Sequence, residues 1–287
     1  MTHSYALITG ASSGIGYATV ALFRAAGWKV IATVRTTSDV MRLTADFGPD
    51  VSPIIADVTD EKSLKAAADK VCALVSSGSL DAIICNAGVA YAAPLMCLPL
   101  DRLDALYQIN VRGVLATLQS FFPLMQLDKV KRRGQKNIRI ILLSSVSGRF
   151  SYPFLGAYAA SKYALEAIGD SLRREMRPYP VDVVLIEPGP IQTPLWGKVA
   201  KASDISQCSD TAWKKPLERF RDFAQQCETQ GLSSESVARL ILKTTMARKP
   251  KARYVIGASL LSGFAIRFLP TSWIDWGVCA ALGLKKK

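Results

Sequence analysis

With 287 residues, 49% of them hydrophobic, the chain can bury a sizeable core, and no Ser/Gly/Pro-rich linker, low-complexity tract or fixed repeat divides it. Its 36 lysines and arginines against 23 acidic residues give a net charge of +13, which favours an anionic partner. No nucleic-acid motif of the usual kinds is present, a phosphorylated cofactor or a membrane surface would use that charge equally well, and the single histidine, His3, argues against a histidine-based metal site and a Ser-His-Asp triad.

In chain order, "YALIT" (5–9) reads as a strand and "IGYATVALFRAAG" (15–27) as a helix with Gly27 near its C-terminal cap. "KVIATV" (29–34) is a strand, followed by a helix near 38–47, a strand "SPIIADV" (52–58) and a helix over 60–76. "DAIIC" (81–85) is a fourth strand, a long helical stretch covers 101–126, and "IRIILLS" (138–144) is a fifth strand. A helix over about 157–176 leads to a sixth strand, "VDVVLIE" (181–187). Several strands are continuous apolar runs, as they are when helices cover both faces of a parallel sheet. The alternation predicts an α/β, Rossmann-like doubly wound parallel sheet of about seven strands, the last being "RYVIG" (253–257). One domain is expected over 1–287. Within it, 189–232 is an irregular or partly helical excursion, 233–248 an amphipathic helix with a serine cap, and 258–287 an apolar extension.

Cys72, Cys85, Cys97, Cys208, Cys227 and Cys279 form no CxxC pair, and several sit in apolar runs. Free buried thiols in a reducing, intracellular and cytoplasmic setting are expected. The first apolar run leads straight into "TGASSG", so no secretory signal is expected, and no charge-free apolar stretch reaches the roughly 18 residues of a spanning helix. The basic runs at 128–136, 247–253 and 285–287 read as solvated loops and a tail.

"LITGASSGIG" follows the first strand and opens the first helix, with Gly10, Gly14 and Gly16 spaced G-x3-G-x-G. This is neither GxGxxG nor a Walker A loop, but the physics is shared. Glycines let the backbone approach a ligand, and a helix N-terminus offers free N–H groups to a pyrophosphate. Gly10, Ser12, Ser13, Gly14, Ile15 and Gly16 are therefore candidate cofactor contacts. The second strand ends "ATVRTT", with Val34 where a ribose-binding carboxylate would select NAD(H). Arg35 and Thr36 are free to meet a 2′-phosphate, which favours NADP(H). Asp57 and Val58 end the third strand, and Asn86, Ala87 and Gly88 the fourth. Each alone is ordinary turn chemistry. Together they occupy the strand ends where a dinucleotide lies in such a sheet.

"YAASK" places Tyr158 and Lys162 at i and i+4, on one helical face. A phenol ordinarily titrates near ~10, and a nearby ammonium favours phenolate, which suits an acid–base role toward a carbinol oxygen. The spacing alone occurs by chance on many helices. Its context is Ser145 at the end of the fifth strand, whose hydroxyl could hold the substrate oxygen, and Asn110 inside a helix, where it could order a water near the lysine.

The ordered set "TGASSGIG", "NAG", Asn110, Ser145 and "YAASK" resembles the short-chain dehydrogenase/reductase family over about 4–195, and "EPGPIQTP" resembles its cofactor-closing segment. The resemblance implies that Tyr158 is the general acid/base and that Lys162 lowers its pKa and holds the nicotinamide ribose. It implies that Ser145 orients the carbonyl, that Asn110 maintains a proton relay, and that Pro188, Gly189, Ile191 and Thr193 line the nicotinamide side. It also implies a homodimer or homotetramer. The stretch 156–196 is similar to the branch containing retinol and 17β-hydroxysteroid dehydrogenases.

The substrate walls are expected from 89–99, 146–156, 189–230 and the C-terminal stretch, which are apolar and aromatic and suit a lipophilic steroid, retinoid or hydrophobic ketone. Packing among themselves or across a subunit interface is the competing reading. For the C-terminal stretch, core packing or a lid is favoured over peripheral membrane contact. The rival to an NADP(H)-dependent oxidoreductase is a catalytically idle dinucleotide sensor or scaffold on the same fold.

Overall fold

The runs of aliphatic and β-branched residues form one parallel sheet. Its strands are β1 (Tyr5–Ile8), β2 (Lys29–Val34), β3 (Val51–Ile55), β4 (Leu80–Cys85), β5 (Ile138–Leu143), β6 (Val181–Pro188) and β9 (Arg253–Ile256). Between the last two, β7 (Ile191–Gln192) pairs with β8 (Leu232–Ser233) in a separate ribbon. The computed structural model describes residues 4–75, 79–127, 138–193, 195–197, 212–257 and 269–284. His3, Cys208, the 128–136 and 285–287 basic runs, and 198–211 and 258–268 of the two C-terminal excursions lie outside the described residues.

The strand order is β3-β2-β1-β4-β5-β6-β9, with every pairing parallel. The chain runs outward from β1 to β3, then returns to start β4 on the other side of β1. That reversal opens a crevice at the carboxyl ends of β1 and β4, where ligands bind in open α/β sheets.

The helices are α1 (Gly14–Ala25), α2 (Thr37–Phe47), α3 (Glu61–Leu74), α4 (Leu100–Tyr107), α5 (Gly113–Phe121), α6 (Gly156–Glu175), α7 (Lys214–Gln230), α8 (Ser234–Met246) and α9 (Thr271–Leu282). Strand alternation divides the core between the two faces of the sheet. In β1, Leu7 packs with Val71 of α3, Phe121 of α5 and Leu165 of α6. Its neighbours Ala6 and Ile8 pack with Phe23 of α1, Phe47 of α2 and Ile241 of α8. A third apolar cluster joins Phe154 and Leu155 to Phe220 and Ala224 of α7 and Leu282 of α9.

Side chains explain several boundaries. Thr36, Asp60 and Ser233 cap α2, α3 and α8 by accepting hydrogen bonds from main-chain N–H groups in the first turn. The single helix expected over 101–126 is instead broken. A π-helical turn at Gln108–Arg112 separates α4 from α5, and a 3-10 turn containing Pro123 follows α5. The helical part of the excursion after Pro188 is α7. Arg139 of β5 is buried and pairs with Asp182, its in-register neighbour on β6, a charge that no apolar pattern announces. Cys72, Cys85, Cys227 and Cys279 are free, Cys72 being exposed rather than buried, whereas Cys97 is disulfide-bonded, so the reading of free thiols fails there.

Candidate active site

A cavity of about 1590 Å³ runs along the carboxyl ends of the strands. Its first end is the turn after β1. Gly10 has a φ of +63°, and a Cβ there would stand 2.8 Å from Ala87 Cα. A Cβ on Gly16 would stand 2.2 Å from the Gly10 carbonyl oxygen, so both positions require glycine for close approach. Asn86 ties the turn to β4: its Nδ2 donates to the carbonyls of Thr9 (2.9 Å) and Gly10 (3.0 Å). The Thr9 hydroxyl in turn accepts from the main-chain N–H groups of Asn86 and Ala87, both at 3.0 Å. Ser13 begins α1 without spending its hydroxyl on a cap, and the first turn holds no acidic residue. The positive end of α1 is thus left for an anionic ligand.

Of the residues expected to hold a dinucleotide, Gly10, Ser12, Ser13, Gly14, Ile15, Arg35, Asp57, Val58, Asn86, Ala87, Gly88, Pro188, Gly189, Ile191 and Thr193 all line the cavity. Gly16 acts behind the lining through its packing on Gly10. Thr36 is placed otherwise. Its hydroxyl donates to Asp39 (2.8 Å), accepts from the Asp39 N–H (3.2 Å) and touches Ser38 (3.0 Å), which is capping chemistry. A residue that sequence reasoning missed stands nearby. Arg42 donates to the Ser12 carbonyl (2.6 Å) and to Asp39 (2.9 Å), tying α2 to the glycine turn. Its guanidinium holds the Asp39 carboxyl below the usual carboxylate range, with Thr36 and Arg35 adding to the effect. The glycine cradle, the free end of α1 and the exposed Arg35 fit a nicotinamide dinucleotide.

At the centre of the cavity lie Ser145, Tyr158 and Lys162. Ser145 opens a 3-10 turn after β5, accepting from the Ser147 N–H (3.1 Å) and donating to the Pro188 carbonyl (3.4 Å). Tyr158 and Lys162 share a face of α6, with the lysine Nζ 5.8 Å from the centre of the phenol ring. Lys162 donates to the Leu143 carbonyl at 2.8 Å. Burial pushes its ammonium down to about 8, opposed by the Glu166 carboxylate. Burial pushes the Tyr158 phenol up to about 12, and it is the hydrogen bond with Ser145 that pulls the other way. The Lys162 ammonium, which the resemblance implies lowers the Tyr158 pKa, stands beside the phenol ring and is anchored on the β5 backbone.

Asn110 is fully buried inside the π-helical turn, a deformation that concentrates at functional sites. Its side chain accepts from the Val89 N–H (2.9 Å) and donates to the Val89 carbonyl (2.9 Å) and to Ser161 (3.0 Å). It clamps the loop after β4 onto α6. A Cβ on Gly88 would lie 3.3 Å from Asn110 Oδ1 and 3.8 Å from Lys162 Nζ, so that loop and the Tyr158–Lys162 face of α6 meet closely.

The far end of the cavity is lined by Ala90, Tyr91, Tyr152, Leu155, Leu195, Trp196 and Phe223. Tyr152 and Phe223 stack with centroids 5.7 Å apart, and Trp196 meets Phe223 edge-on at 6.2 Å. Three of the four stretches expected to wall the site do so. The described part of the fourth, α9, instead lines a neighbouring cleft of about 220 Å³ that shares Phe150 and Tyr152 with the cavity. Behind the lysine is a charge network that the sequence did not announce. Arg253 Nε of β9 contacts Glu166 (3.0 Å) and Glu187 (3.3 Å), and Arg149 contacts Glu187 (3.5 Å).

A family model described as short chain dehydrogenase matches residues 4–204. The chain is 34% identical over 273 residues to the NADPH-dependent 3-dehydrocapnine reductase of Ornithobacterium rhinotracheale, covering 94% of each chain. It is 32% identical over 267 residues to the 17-beta-hydroxysteroid dehydrogenase type 1 of Homo sapiens, covering 88% of this chain and 77% of that one. The crystal structure of a short chain dehydrogenase/reductase from Burkholderia phymatum in complex with NAD superposes with a TM-score of 0.78 at 22% identity, covering 96% of this chain and 95% of that one, which bears on the fold. The match along most of the chain, on a seven-stranded parallel sheet with its crevice at the β1–β4 switch, makes the protein a member of the short-chain dehydrogenase/reductase family of oxidoreductases.

Proposed function

We propose that the protein is an NADP(H)-dependent oxidoreductase that interconverts a carbonyl and an alcohol on a lipophilic substrate, with Tyr158 as general acid/base. The observation that carries this reading is the single cavity in which Ser145, Tyr158 and Lys162 stand between a glycine-lined anion cradle and an aromatic wall. When bound, the reduced dinucleotide supplies the hydride for the carbonyl carbon. Tyr158 Oη gives its proton to the carbonyl oxygen, completing the alcohol, and takes one back in the oxidative direction. A phenol titrating well above neutrality keeps its proton until a developing alkoxide demands it. Ser145 Oγ donates a hydrogen bond to the same oxygen and fixes its direction. Lys162, anchored on the Leu143 carbonyl, holds a positive charge beside the phenol and offers its remaining donors to ribose hydroxyls. Asn110 positions the loop that presses against that lysine.

The NADP(H) preference is supported by Arg35 on the cavity wall with Val34 before it in place of a carboxylate, and by the relative named as NADPH-dependent. The lipophilic substrate is supported by the Tyr152, Trp196 and Phe223 wall and by the relative named for a hydroxysteroid. The test is a panel of steroids, retinoids and aryl ketones with NADPH, read by absorbance loss at the nicotinamide band. Tyr158→Phe should abolish turnover and leave NADPH binding intact; persistent turnover removes Tyr158 from its role. A wild type that binds NADPH but reduces no ketone would favour the sensor. Arg35→Ala should weaken NADPH far more than NADH, and equal losses would refute the phosphate contact.

A further inference from the structure

We infer that the outer face of α9, with Leu95 and Met96 beside it, docks the protein on an anionic lipid bilayer next to the substrate end of the cavity. The helix has one charged residue, Asp275, in twelve and is apolar on both sides. Its inner face is accounted for. Ile274, Val278 and Cys279 line the small cleft with Leu95, Phe150 and Tyr152, and Leu282 is buried in the third core cluster. Its outer face is not, because Trp273 is 67% exposed and Trp276 78% exposed, one helical turn apart. A helix at the surface of a water-soluble domain carries polar residues at such positions.

The neighbouring surface continues the pattern. Leu95 and Met96 are exposed where a 3-10 turn meets the cleft beside α9, and Leu100 and Leu269 are exposed in the flanking chain. A set of large apolar side chains in one region marks an interaction surface, and two tryptophans among them favour the water–bilayer boundary. Charge selects the partner. The protein carries +13 overall, Lys285, Lys286 and Lys287 follow Leu284 in sequence, and Arg219 of α7 lies against Gly283 at the end of the helix. Two copies of so basic a protein repel each other, whereas an anionic surface attracts each of them. Twelve residues span only about 18 Å of helix against a hydrocarbon core of about 30 Å, so α9 lies in the interface rather than crossing it. The aromatic residues shared by cleft and cavity, Phe150 and Tyr152, put the docked helix one side chain away from the substrate wall.

Flotation reads this without any turnover, so it stands apart from the substrate reading. Full-length protein is mixed with vesicles of phosphatidylcholine alone or with about one third phosphatidylserine. Wild type should float with the anionic vesicles, and its tryptophan emission should shift to the blue. Trp273→Ser with Trp276→Ser should lower the partition coefficient at least tenfold and remove the shift. Replacing Lys285, Lys286 and Lys287 by Ser should weaken binding by roughly fivefold for each. Wild type that stays in solution, or a tryptophan variant that floats equally, overturns the proposal. Equal binding to neutral vesicles, or an unaffected lysine variant, overturns the anionic partner. A tryptophan variant that turns a dimer into a monomer in the analytical ultracentrifuge, with no flotation of either protein, assigns the face to a second copy.

Discussion

Glu187 ends β6 immediately before the Pro188-Gly189 segment, and it is the carboxylate that burial perturbs most clearly beside the site. Burial pushes it up to about 7 from an ordinary 4.5, with the charges of Glu166 and Asp170 adding to the rise against Arg149 and Arg253. Those four side chains, from α6, β9 and the turn after Ser145, are the charged groups that face it. The sign follows directly. In the folded state Glu187 holds a proton that the unfolded chain has released, so this group's contribution to stability falls as pH rises from about 4.5 to about 7 and is flat beyond. Between pH 5 and pH 8 the two titration curves differ by about two logarithmic units, on the order of 2–3 kcal/mol. Glu187→Gln keeps the shape and cannot ionise, so that slope should vanish from the variant. Urea unfolding at pH 5, 6, 7 and 8 measures it. The constant offset between the two proteins reports lost contacts with Arg149 and Arg253, and only the change of that offset with pH tests the claim. The variant should gain on wild type by roughly 2–3 kcal/mol across the range. Parallel curves would mean that Glu187 is ionised throughout and that the arginines outweigh its burial.

Gly16→Ala places a methyl 2.2 Å from the Gly10 carbonyl oxygen and 2.5 Å from Asn86 Nδ2, so the turn must shift. It should cost about 1–3 kcal/mol of stability and weaken dinucleotide binding well beyond what the melting shift explains, read by thermal denaturation and nicotinamide fluorescence titration. Asn110→Leu leaves the Val89 N–H and carbonyl without their side-chain partner, which should destabilise the fold by about 2–4 kcal/mol in calorimetry and lower kcat more than it raises KM.

The sheet was legible because its strands are buried on both faces and announce themselves as unbroken apolar runs; "KVIATV", "IRIILLS" and "VDVVLIE" fall on β2, β5 and β6 within a residue. The residues now lining the cavity were legible for a different reason. Glycine turns and strand ends are local features, and the parallel topology brings them to one edge without further instruction. What stayed hidden depends on partners far apart in the chain. The break at Gln108–Arg112 falls where Asn110 reaches Val89 and Ser161, and the window 101–126 carries no sign of either. Thr36 looked like a phosphate ligand next to Arg35, but its own helix claims the hydroxyl two and three residues later. Glu166 and Glu187 read as ordinary positions on a helix and a strand until Arg253, from the last strand, arrives between them. The same arginine also meets Asp170 at 2.8 Å, so it joins α6, which carries Tyr158 and Lys162, to β6, which carries Pro188 and Gly189. A change in the protonation of Glu187 therefore acts on the bond between those two elements. On this geometry one carboxylate, Glu187, links part of the pH dependence of unfolding to the contacts that join α6 to β6.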